Sequence, residues 1–260
     1  MTSAAATRPS VLVALETVVV AGAGGVLAGF AWSLVGLSAP AAMVGALAGG
    51  IAGFRGIYQW RSVAGWLAFV LDSTWAVITT AGSLVAHLAA GAQRQSGNYV
   101  AEMSERRNRH VYARGYTLRR GFMLTVGNTI NGAGAVHQVA RRRHIVDHHE
   151  HVHVWQSRWF GPIFPAVYTV WYVVGLAAGA VTWLVSRPPE PIGRVIDTCA
   201  YYRNPFEWWA YSREGRWPPP GAVGRFAWRR PIVRAFDDDV PTSSGTLSEA
   251  SDISSVVGDD

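Results

Sequence analysis

The chain has few of the charged residues that an ordinary soluble protein carries. They make up 15% of its 260 positions, against about 25% in an average soluble domain. Lysine is absent, and all 23 basic residues are arginine. The single cysteine, Cys199, excludes an internal disulfide framework and a zinc site built on cysteine ligands. Half of the residues are hydrophobic and the mean hydropathy is +0.14, which argues against both an ordinary soluble enzyme and a disordered chain.

Long apolar runs indicate a membrane protein, because about 20 apolar residues span a bilayer. The first run, residues 11–37, contains one charged residue, Glu16. It is longer than the core of a signal peptide, so we expect it to be retained. Further apolar runs cover residues 39–54, 63–92 and 163–185.

These runs predict a mainly α-helical membrane protein with three to four apolar helical segments. The predicted order is a polar N-terminus (1–10), glycine-rich transmembrane helices (11–92), a functional region that includes the apolar segment 163–185 (93–236), and a disordered acidic tail (237–260).

Glycines recur at intervals of four within the first two runs. They are Gly25 and Gly29 in the first run, and Gly45, Gly49 and Gly53 in the second. Glycines with this spacing lie on one helix face and let two backbones approach closely. We expect the two runs to pack as a helical hairpin. Pairing with partner helices, or with a second copy of the chain as a homo-oligomer, is the alternative.

The net charge of +6 and the pI near 9.9 occur without a nucleic-acid recognition motif. We therefore expect the arginines to face anionic lipid headgroups, and we expect no nucleic-acid partner. Residues 93–161 hold 11 arginines and four acids, and residues 187–236 hold nine arginines and four acids. The positive-inside rule places both regions in the cytoplasm. We expect a multi-pass protein of the bacterial cell membrane with both of these regions on the cytoplasmic side.

Asp72 interrupts the third apolar run. An ionisable residue at membrane depth is a candidate functional residue. The interpretation that we favour is that Asp72 pairs with an arginine or lies near the membrane interface.

Residues 149–153 have the sequence HEHVH, which fits the motif H-E-x-x-H. Residues 141–159 contain no glycine or proline and are predicted to be helical. His149 and His153 then share one helix face and can bind one metal ion, while Glu150 can reach a water molecule on that ion. Zinc lowers the pKa of such a water towards 7, and a carboxylate can accept its proton.

A catalytic zinc site needs three protein ligands and one open position. Glu207, within the sequence NPFEWWAY at 204–211, is the candidate third ligand. Pro205 suits the first turn of a helix, so Glu207 is expected to project early from that helix. Residues 115–130 are predicted to form one or two short strands, which supply an edge strand for a substrate.

The sequence HEHVHVWQ at 149–156 resembles the active-site helix of zincin-type metallopeptidases, and NPFExxAY resembles the glutamate helix of their gluzincin branch. The whole pattern resembles bacterial polytopic membrane proteins with a zincin-like core. The resemblance implies that residues 93–236 are a zincin-like region with a small α+β portion, with Zn²⁺ on His149, His153 and Glu207 and with Glu150 as the general base. It also implies a protein or peptide substrate.

The resemblance leaves the group that stabilises the oxyanion unassigned, with Tyr202, Tyr211 and His137 as candidates. Asp147 is a candidate for orienting one of the imidazoles.

The apolar run at 163–185 lies between the predicted metal ligands. If it crossed the membrane once, His149 and Glu207 would lie on opposite sides. The metal site and the positive-inside rule both require one side. We therefore expect this run to be re-entrant, kinked at Gly175 or Gly179, or packed within the protein.

The leading hypothesis is a membrane-embedded zinc metallohydrolase, a peptidase that uses a zinc-activated water. The alternative is a non-catalytic membrane scaffold or assembly factor that keeps a zincin-like fold. A third interpretation is a metal-handling protein, in which His144 and His148 contribute to metal binding as much as His149 and His153.

Overall fold

The computed structural model describes residues 8–93, 98–119 and 121–236, which are mainly helical with one small sheet. The predicted disordered tail at 237–260 and residues 1–7 of the predicted polar N-terminus lie outside the described residues. The helices are α1 (Ser10–Ala31), α2 (Ser38–Arg55), α3 (Val63–Asp72), α4 (Val77–Ala92), α5 (Ala140–Ile145), α6 (His151–Phe160), α7 (Ile163–Ser186), α8 (Ile192–Asp197) and α9 (Pro205–Glu214). The strands are β1 (His110–Val111), β2 (Leu124–Val126) and β3 (Thr129–Asn131).

Helices α1 and α2 form the predicted antiparallel hairpin. Gly45 lies against Gly24, and Gly49 lies against Val20. A Cβ atom added at Gly49 would lie 2.5 Å from the Val20 carbonyl oxygen, closer than two such atoms can approach. The hairpin therefore depends on glycine, because the helix backbones are in direct contact.

Glu16, the charged residue of the first apolar run, is neutralised within the protein. Its carboxylate pairs with Arg106 at 2.6 Å and with Arg8 at 2.8 Å. The indole nitrogen of Trp60 donates a further hydrogen bond to it at 2.7 Å. These contacts fasten the start of α1 to the polar part of the chain.

The prediction of a single helical run over 63–92 was wrong, because the third apolar run is not one straight helix. It is broken between α3 and α4, whose axes are bent by 87°. Hydrogen bonds hold the break in place, since Thr80 donates to the Asp72 carbonyl oxygen at 3.0 Å and the Trp75 indole donates to the Trp159 carbonyl oxygen at 3.0 Å. The polar residues at 72–74 therefore mark a bend rather than an interruption within a span.

Asp72 pairs with an arginine, as we favoured. Its carboxylate accepts two hydrogen bonds from the Arg158 guanidinium, at 2.8 and 2.9 Å. Tyr58 and Asn128 each donate another at 3.0 Å. Arg158 is completely buried and Asp72 is 3% exposed, so the pair joins α3 to α6 in the interior.

The sheet has the strand order β1-β3-β2. Strands β2 and β3 are antiparallel and are connected by a tight turn at 127–128, where Gly127 has a φ of +57°. They confirm the prediction of one or two short strands in 115–130. Strand β1 is parallel to β3 and was not predicted, because it is only two residues long. Strand β2 lies at the edge of this sheet.

Helix α7 is continuous over its 24 residues, so Gly175 and Gly179 do not break it. Both glycines are instead points of close contact with the chain that follows. A Cβ atom at Gly175 would lie 2.5 Å from the Cα atom of Ala200, and one at Gly179 would lie 2.7 Å from the Cα atom of Ile196. Gly175 comes four residues before Gly179, and its partner Ala200 comes four residues after Ile196. The later chain therefore returns antiparallel to α7.

This return brings the later chain back to the start of α7. Glu207 comes seven residues after Ala200, and Tyr168 comes seven residues before Gly175, so the antiparallel pairing places them side by side. The Tyr168 hydroxyl donates a hydrogen bond to the Glu207 carboxylate at 2.8 Å. Tyr168 lies near the start of α7, directly after α6. The chain therefore leaves the predicted metal helix, follows α7 outwards and comes back, so the predicted ligands lie at one end of α7.

Among the described residues, α1 and α7 are long and apolar enough to cross a membrane, and α3 and α4 count as a third span if the bent pair is one. These helices indicate a membrane protein. The buried residues of α7 are Gly175 and Gly179. The alternative in which this run is packed within the protein is therefore wrong. Helix α2, predicted to span, is not among these candidate spans.

Replacing Asp72 with asparagine should lower the free energy of unfolding by about 3–5 kcal/mol, because it leaves the buried Arg158 charge without a counter-ion. Asp197→Asn is the matched control, since its pair with Arg119 lies at the surface and should matter little. Thermal unfolding of the two variants in the same detergent measures the difference. Equal losses would contradict the structural role of the buried pair.

Gly24→Ala should destabilise the protein, because the new Cβ atom would lie 2.7 Å from the Gly45 carbonyl oxygen. Gly22→Ala, on the same helix, has no neighbour within 4 Å of its added Cβ atom. It should be neutral or stabilising by up to about 1 kcal/mol, since alanine favours helix more than glycine. Unfolding curves that rank the two variants in the opposite order would exclude the glycine-dependent packing of α1 and α2.

Candidate metal centre

The predicted metal helix contains a change of helix type at the motif itself. His149 and Glu150 lie in a π-helical turn, Val146–Glu150, that joins α5 to α6, and His153 lies in the first turn of α6. Single π turns within helices are frequent at functional sites. The three side chains belong to buried residues, which are only 4%, 6% and 7% exposed. The helix predicted over 141–159 is therefore confirmed, although it is not an α-helix throughout.

Helix α9 presents Glu207 as predicted. The Asn204 side chain accepts a hydrogen bond from the Phe206 backbone nitrogen, and Pro205 occupies the first turn. Glu207 follows in that turn and is 3% exposed. Its carboxylate oxygens lie 3.3 Å from His153 Nε2 and 3.4 Å from His149 Nε2. The structure thus brings the three predicted ligands together.

The spacing of these atoms suits a metal ion. The Nε2 atoms of His149 and His153 are 3.3 Å apart. Glu207 approaches them with different oxygens, Oε1 at 3.3 Å from His153 and Oε2 at 3.4 Å from His149. Bonds of about 2.0–2.1 Å in a tetrahedron place neighbouring ligand atoms about 3.3–3.4 Å apart. In addition, Glu207 Oε2 is buried without a hydrogen-bond partner, which is rare for a polar atom. His149, His153 and Glu207 can therefore hold a metal ion.

Neighbouring side chains determine which imidazole nitrogen faces the centre. Gln156 donates its amide N–H to the Phe206 carbonyl oxygen at 3.0 Å, so its own oxygen accepts from His153 Nδ1 at 2.8 Å. His149 Nδ1 lies 2.9 Å from the Glu214 carboxylate. When each imidazole keeps its hydrogen on Nδ1, both Nε2 atoms are free to bind a cation. Such partners orient metal-binding histidines and increase their basicity.

His149, His153 and Glu207 shift one another's pKa values. Burial alone lowers the pKa of His149, but the Glu207 and Glu214 carboxylates outweigh it and raise the pKa to about 10. Burial likewise lowers the pKa of His153, and Glu207 again produces a net increase. Burial raises the pKa of Glu207, but the two histidines hold it below its ordinary value. In the absence of a metal ion the cluster retains protons, which a bound cation would displace.

Glu150, the predicted general base, lies beside the edge of the sheet. The Thr125 hydroxyl, in the middle of β2, donates a hydrogen bond to Glu150 Oε2 at 2.6 Å. Glu150 also contributes to raising the pKa of both histidines. The predicted base and the predicted edge strand are therefore neighbours.

Three residues of the centre were missed by the sequence analysis: Gln156, Tyr168 and Glu214. Two of them had a usable signal. Glu214 comes seven residues after Glu207, which is two turns along the same helix face. Gln156 comes three residues after His153, again on a shared face. Tyr168 lies within an apolar run, where no sequence pattern distinguishes it.

Several other expectations need correction. Asp147 pairs with Arg109 and Arg107, whereas the ligand imidazoles of His149 and His153 contact Glu214 and Gln156 through their Nδ1 atoms. His137 is largely exposed and pairs with Glu102 at 3.1 Å, away from the metal ligands. The Tyr202 hydroxyl donates to the Pro220 carbonyl oxygen at 3.0 Å. Of the three candidates for the oxyanion, Tyr211 alone contacts a metal ligand, with its ring centroid 4.5 Å from that of His149.

The His-rich interpretation also finds no support in the geometry. His144 and His148 pack ring to ring at 4.3 Å, and His144 Nε2 lies 2.9 Å from the Glu214 carbonyl oxygen. Within the described residues, the group able to hold a metal ion comprises His149, His153 and Glu207.

No protein-family model matches the chain, and no curated protein or solved structure is significantly similar to it. Functional inference therefore depends on the geometry of the site.

The purified protein should hold one divalent transition-metal ion per chain, and His153→Ala and Glu207→Ala should each abolish tight binding, because each removes one of three ligands. His144→Ala is the matched control and should retain the ion. Metal content by inductively coupled plasma mass spectrometry after dialysis measures the outcome. Equal loss in the His144 variant would favour a loose histidine-rich site instead.

Glu214→Gln should weaken metal binding about 10- to 100-fold without abolishing it, because Glu214 contacts His149 Nδ1 and not the ion. Competition with a chelator of known affinity measures the change. Glu102→Gln, which alters a partly exposed carboxylate remote from the ligands, should leave the affinity unchanged. An unaltered affinity in the Glu214 variant would remove its role in orienting His149.

Proposed function

We propose that this protein is a zinc metallohydrolase of the zincin type, a peptidase anchored in a bacterial cell membrane. In this proposal His149, His153 and Glu207 hold Zn²⁺, and Glu150 is the general base. The observation that carries it is the burial of two imidazoles and one carboxylate whose nitrogen and oxygen atoms lie close enough together to hold one metal ion. Two histidines and one glutamate form a known ligand set of catalytic zinc, which keeps a fourth position open.

Zinc, when bound, supplies an acidified water molecule and polarises a substrate carbonyl. The remaining chemistry belongs to Glu150. Its Oε2 atom accepts the Thr125 hydrogen bond, so its Oε1 atom is the one available to take a proton. Glu150 then returns this proton to the amine that leaves when the peptide bond breaks.

The position of β2 supports a peptide as the substrate. An extended peptide can pair with the exposed edge of a sheet through its backbone hydrogen bonds. Strand β2 is an edge strand, and its central residue, Thr125, contacts Glu150. A peptide added along β2 would therefore pass next to the proposed base.

Burial of the centre strengthens its electrostatic interactions. Electrostatic interactions are stronger in a site that excludes water, and His149, His153 and Glu207 are at most 7% exposed. The Tyr168 hydroxyl fixes one oxygen of Glu207, which keeps this ligand oriented. The arginine-rich regions that flank α7 support a cytoplasmic location for the centre through the positive-inside rule.

Glu150→Gln should retain the metal ion but reduce peptide hydrolysis by at least about 100-fold, because the amide cannot accept the proton. Cleavage of a proteome-derived peptide library, read by mass spectrometry, measures this loss without a known substrate. Glu102→Gln is the control and should remain active.

The same variant distinguishes the alternative function. A non-catalytic scaffold with a zincin-like fold would need the metal ligands for folding but not Glu150. Complementation of a deletion strain by Glu150→Gln, together with equal peptide cleavage by variant and parent, would exclude the proposed peptidase.

A further inference from the structure

Helix α7 is apolar along the whole of its exposed face. Aliphatic side chains recur there at intervals of three, four or seven residues and form one stripe, which we call the apolar stripe: Ile163, Val167, Val170, Val174, Val181 and Val185. The stripe is about 33 Å long, because each residue of helix adds about 1.5 Å. No charged residue interrupts α7. An exposed apolar surface of this length marks a contact with lipid or with another protein.

A different face of α7 is covered by the chain that returns along it, and this chain is charged. Asp197 comes directly after Ile196, the residue that contacts Gly179. It therefore lies about 5 Å along the helix axis from the midpoint of α7. The Asp197 carboxylate pairs with Arg119 at 3.1 Å, and the two side chains are 40% and 61% exposed. An exposed ion pair thus lies near the middle of α7.

Irregular backbone lies at the same level of the helix. Tyr201 comes directly after Ala200, the residue that contacts Gly175, and its ring centroid is 6.2 Å from that of Phe122. Phe122 belongs to neither a helix nor a strand, and the nearby residues Arg119 and Gly121 are exposed. Non-helical backbone is tolerated in the hydrocarbon layer only where protein or a water-filled cavity surrounds it.

These neighbours determine how α7 can meet a membrane. If α7 crossed the bilayer, its midpoint would lie at the centre of the hydrocarbon layer, together with the pair of Asp197 and Arg119 and the backbone at Phe122. Charged residues that are exposed at this depth are costly. If α7 instead lies along the membrane, the apolar stripe contacts lipid while the returning chain faces water.

We propose that α7 lies along the membrane surface, with its apolar stripe among the acyl chains just below the headgroups, and does not cross the bilayer. The partner of the stripe is thus the interfacial layer of the lipid. Tyr168, near the start of α7, donates a hydrogen bond to Glu207, so the metal centre lies at the membrane surface as well. This placement goes beyond the proposed peptidase function and does not depend on it, because it uses only the surroundings of α7.

Spin labels along the apolar stripe test this placement in the full-length protein in lipid nanodiscs. The label is attached to Ile163→Cys, Val174→Cys or Val185→Cys, each combined with Cys199→Ala to remove the native thiol. Relaxation by oxygen and by a water-soluble nickel chelate measures the depth of each label. We expect the three labels at similar depths of about 5–10 Å, as in helices that lie in the interface. A crossing helix would place the label at residue 174 about 15 Å deep, half the thickness of the hydrocarbon core, and the other two near the headgroups.

Gly193→Cys is the matched control, because Gly193 is exposed on α8 and has open space around an added Cβ atom. Its label should remain accessible to the nickel chelate, whereas a crossing α7 would carry it into the hydrocarbon layer. Size-exclusion chromatography and the melting temperature establish that each variant is folded, and Val170→Cys or Val181→Cys, on the same stripe, replaces any variant that is not.

Three results would overturn the proposal. A label at residue 174 that lies at least about 10 Å deeper than those at residues 163 and 185 would show that α7 crosses the bilayer. Free access of the nickel chelate to all three labels would show that the stripe contacts water. Labels hidden from both oxygen and the nickel chelate would show that a second copy of the chain or another protein covers the stripe.

Discussion

The buried ion pair between Asp72 and Arg158 joins the two halves of this protein. Asp72 ends α3 at the bend of the apolar helices, and Arg158 lies in α6, the helix that carries His153. A buried charge pair is most stabilising when its remaining hydrogen bonds are satisfied. Here Tyr58 and Asn128 donate further hydrogen bonds to the carboxylate, whereas Arg158 Nη1 is buried without a hydrogen-bond partner. Asn128 also lies in the turn that leads into β3, so the sheet is held by the same carboxylate. This contact therefore joins the metal helix to the membrane helices and to the sheet at one point, beside the hydrogen bond from Trp75 to Trp159 and the one from Thr125 to Glu150.

Much of the local structure could be predicted from the sequence, because it depends on short spacings. The four-residue interval between His149 and His153, the glycines of α1 and α2, and Pro205 at the start of α9 each have a local physical cause. The bend after Asp72 could not be predicted in the same way. Its cause is a partner 86 positions away, and an apolar run is equally compatible with a straight helix. Tyr168 was missed for the same reason, since only the return of the chain along α7 brings it to Glu207.

The centre is also more elaborate than its motif. The motif supplies two imidazoles and a carboxylate, but their orientation depends on Gln156 and Glu214, which contact the imidazole nitrogens on the far side. Glu214 in turn pairs with Arg141, from α5, on the other side of the π turn. The π turn is therefore held from both sides, by residues of α6 and α9 and by an arginine of α5. A sequence motif identifies which atoms can bind the ion, whereas these contacts determine where those atoms point.

The matched register of α7 and the returning chain has a consequence for how such a protein can vary. Each residue of helix adds about 1.5 Å of length and a rotation of about 100°. Removal of one residue from the returning arm alone would shift Glu207 along the axis and turn it away from the histidines. An equal removal from both arms, at the distant end of the hairpin, would leave the centre intact. The 53 residues that lie between His153 and Glu207 can therefore change in number without moving the metal ligands, provided that α7 and the returning chain change by equal lengths.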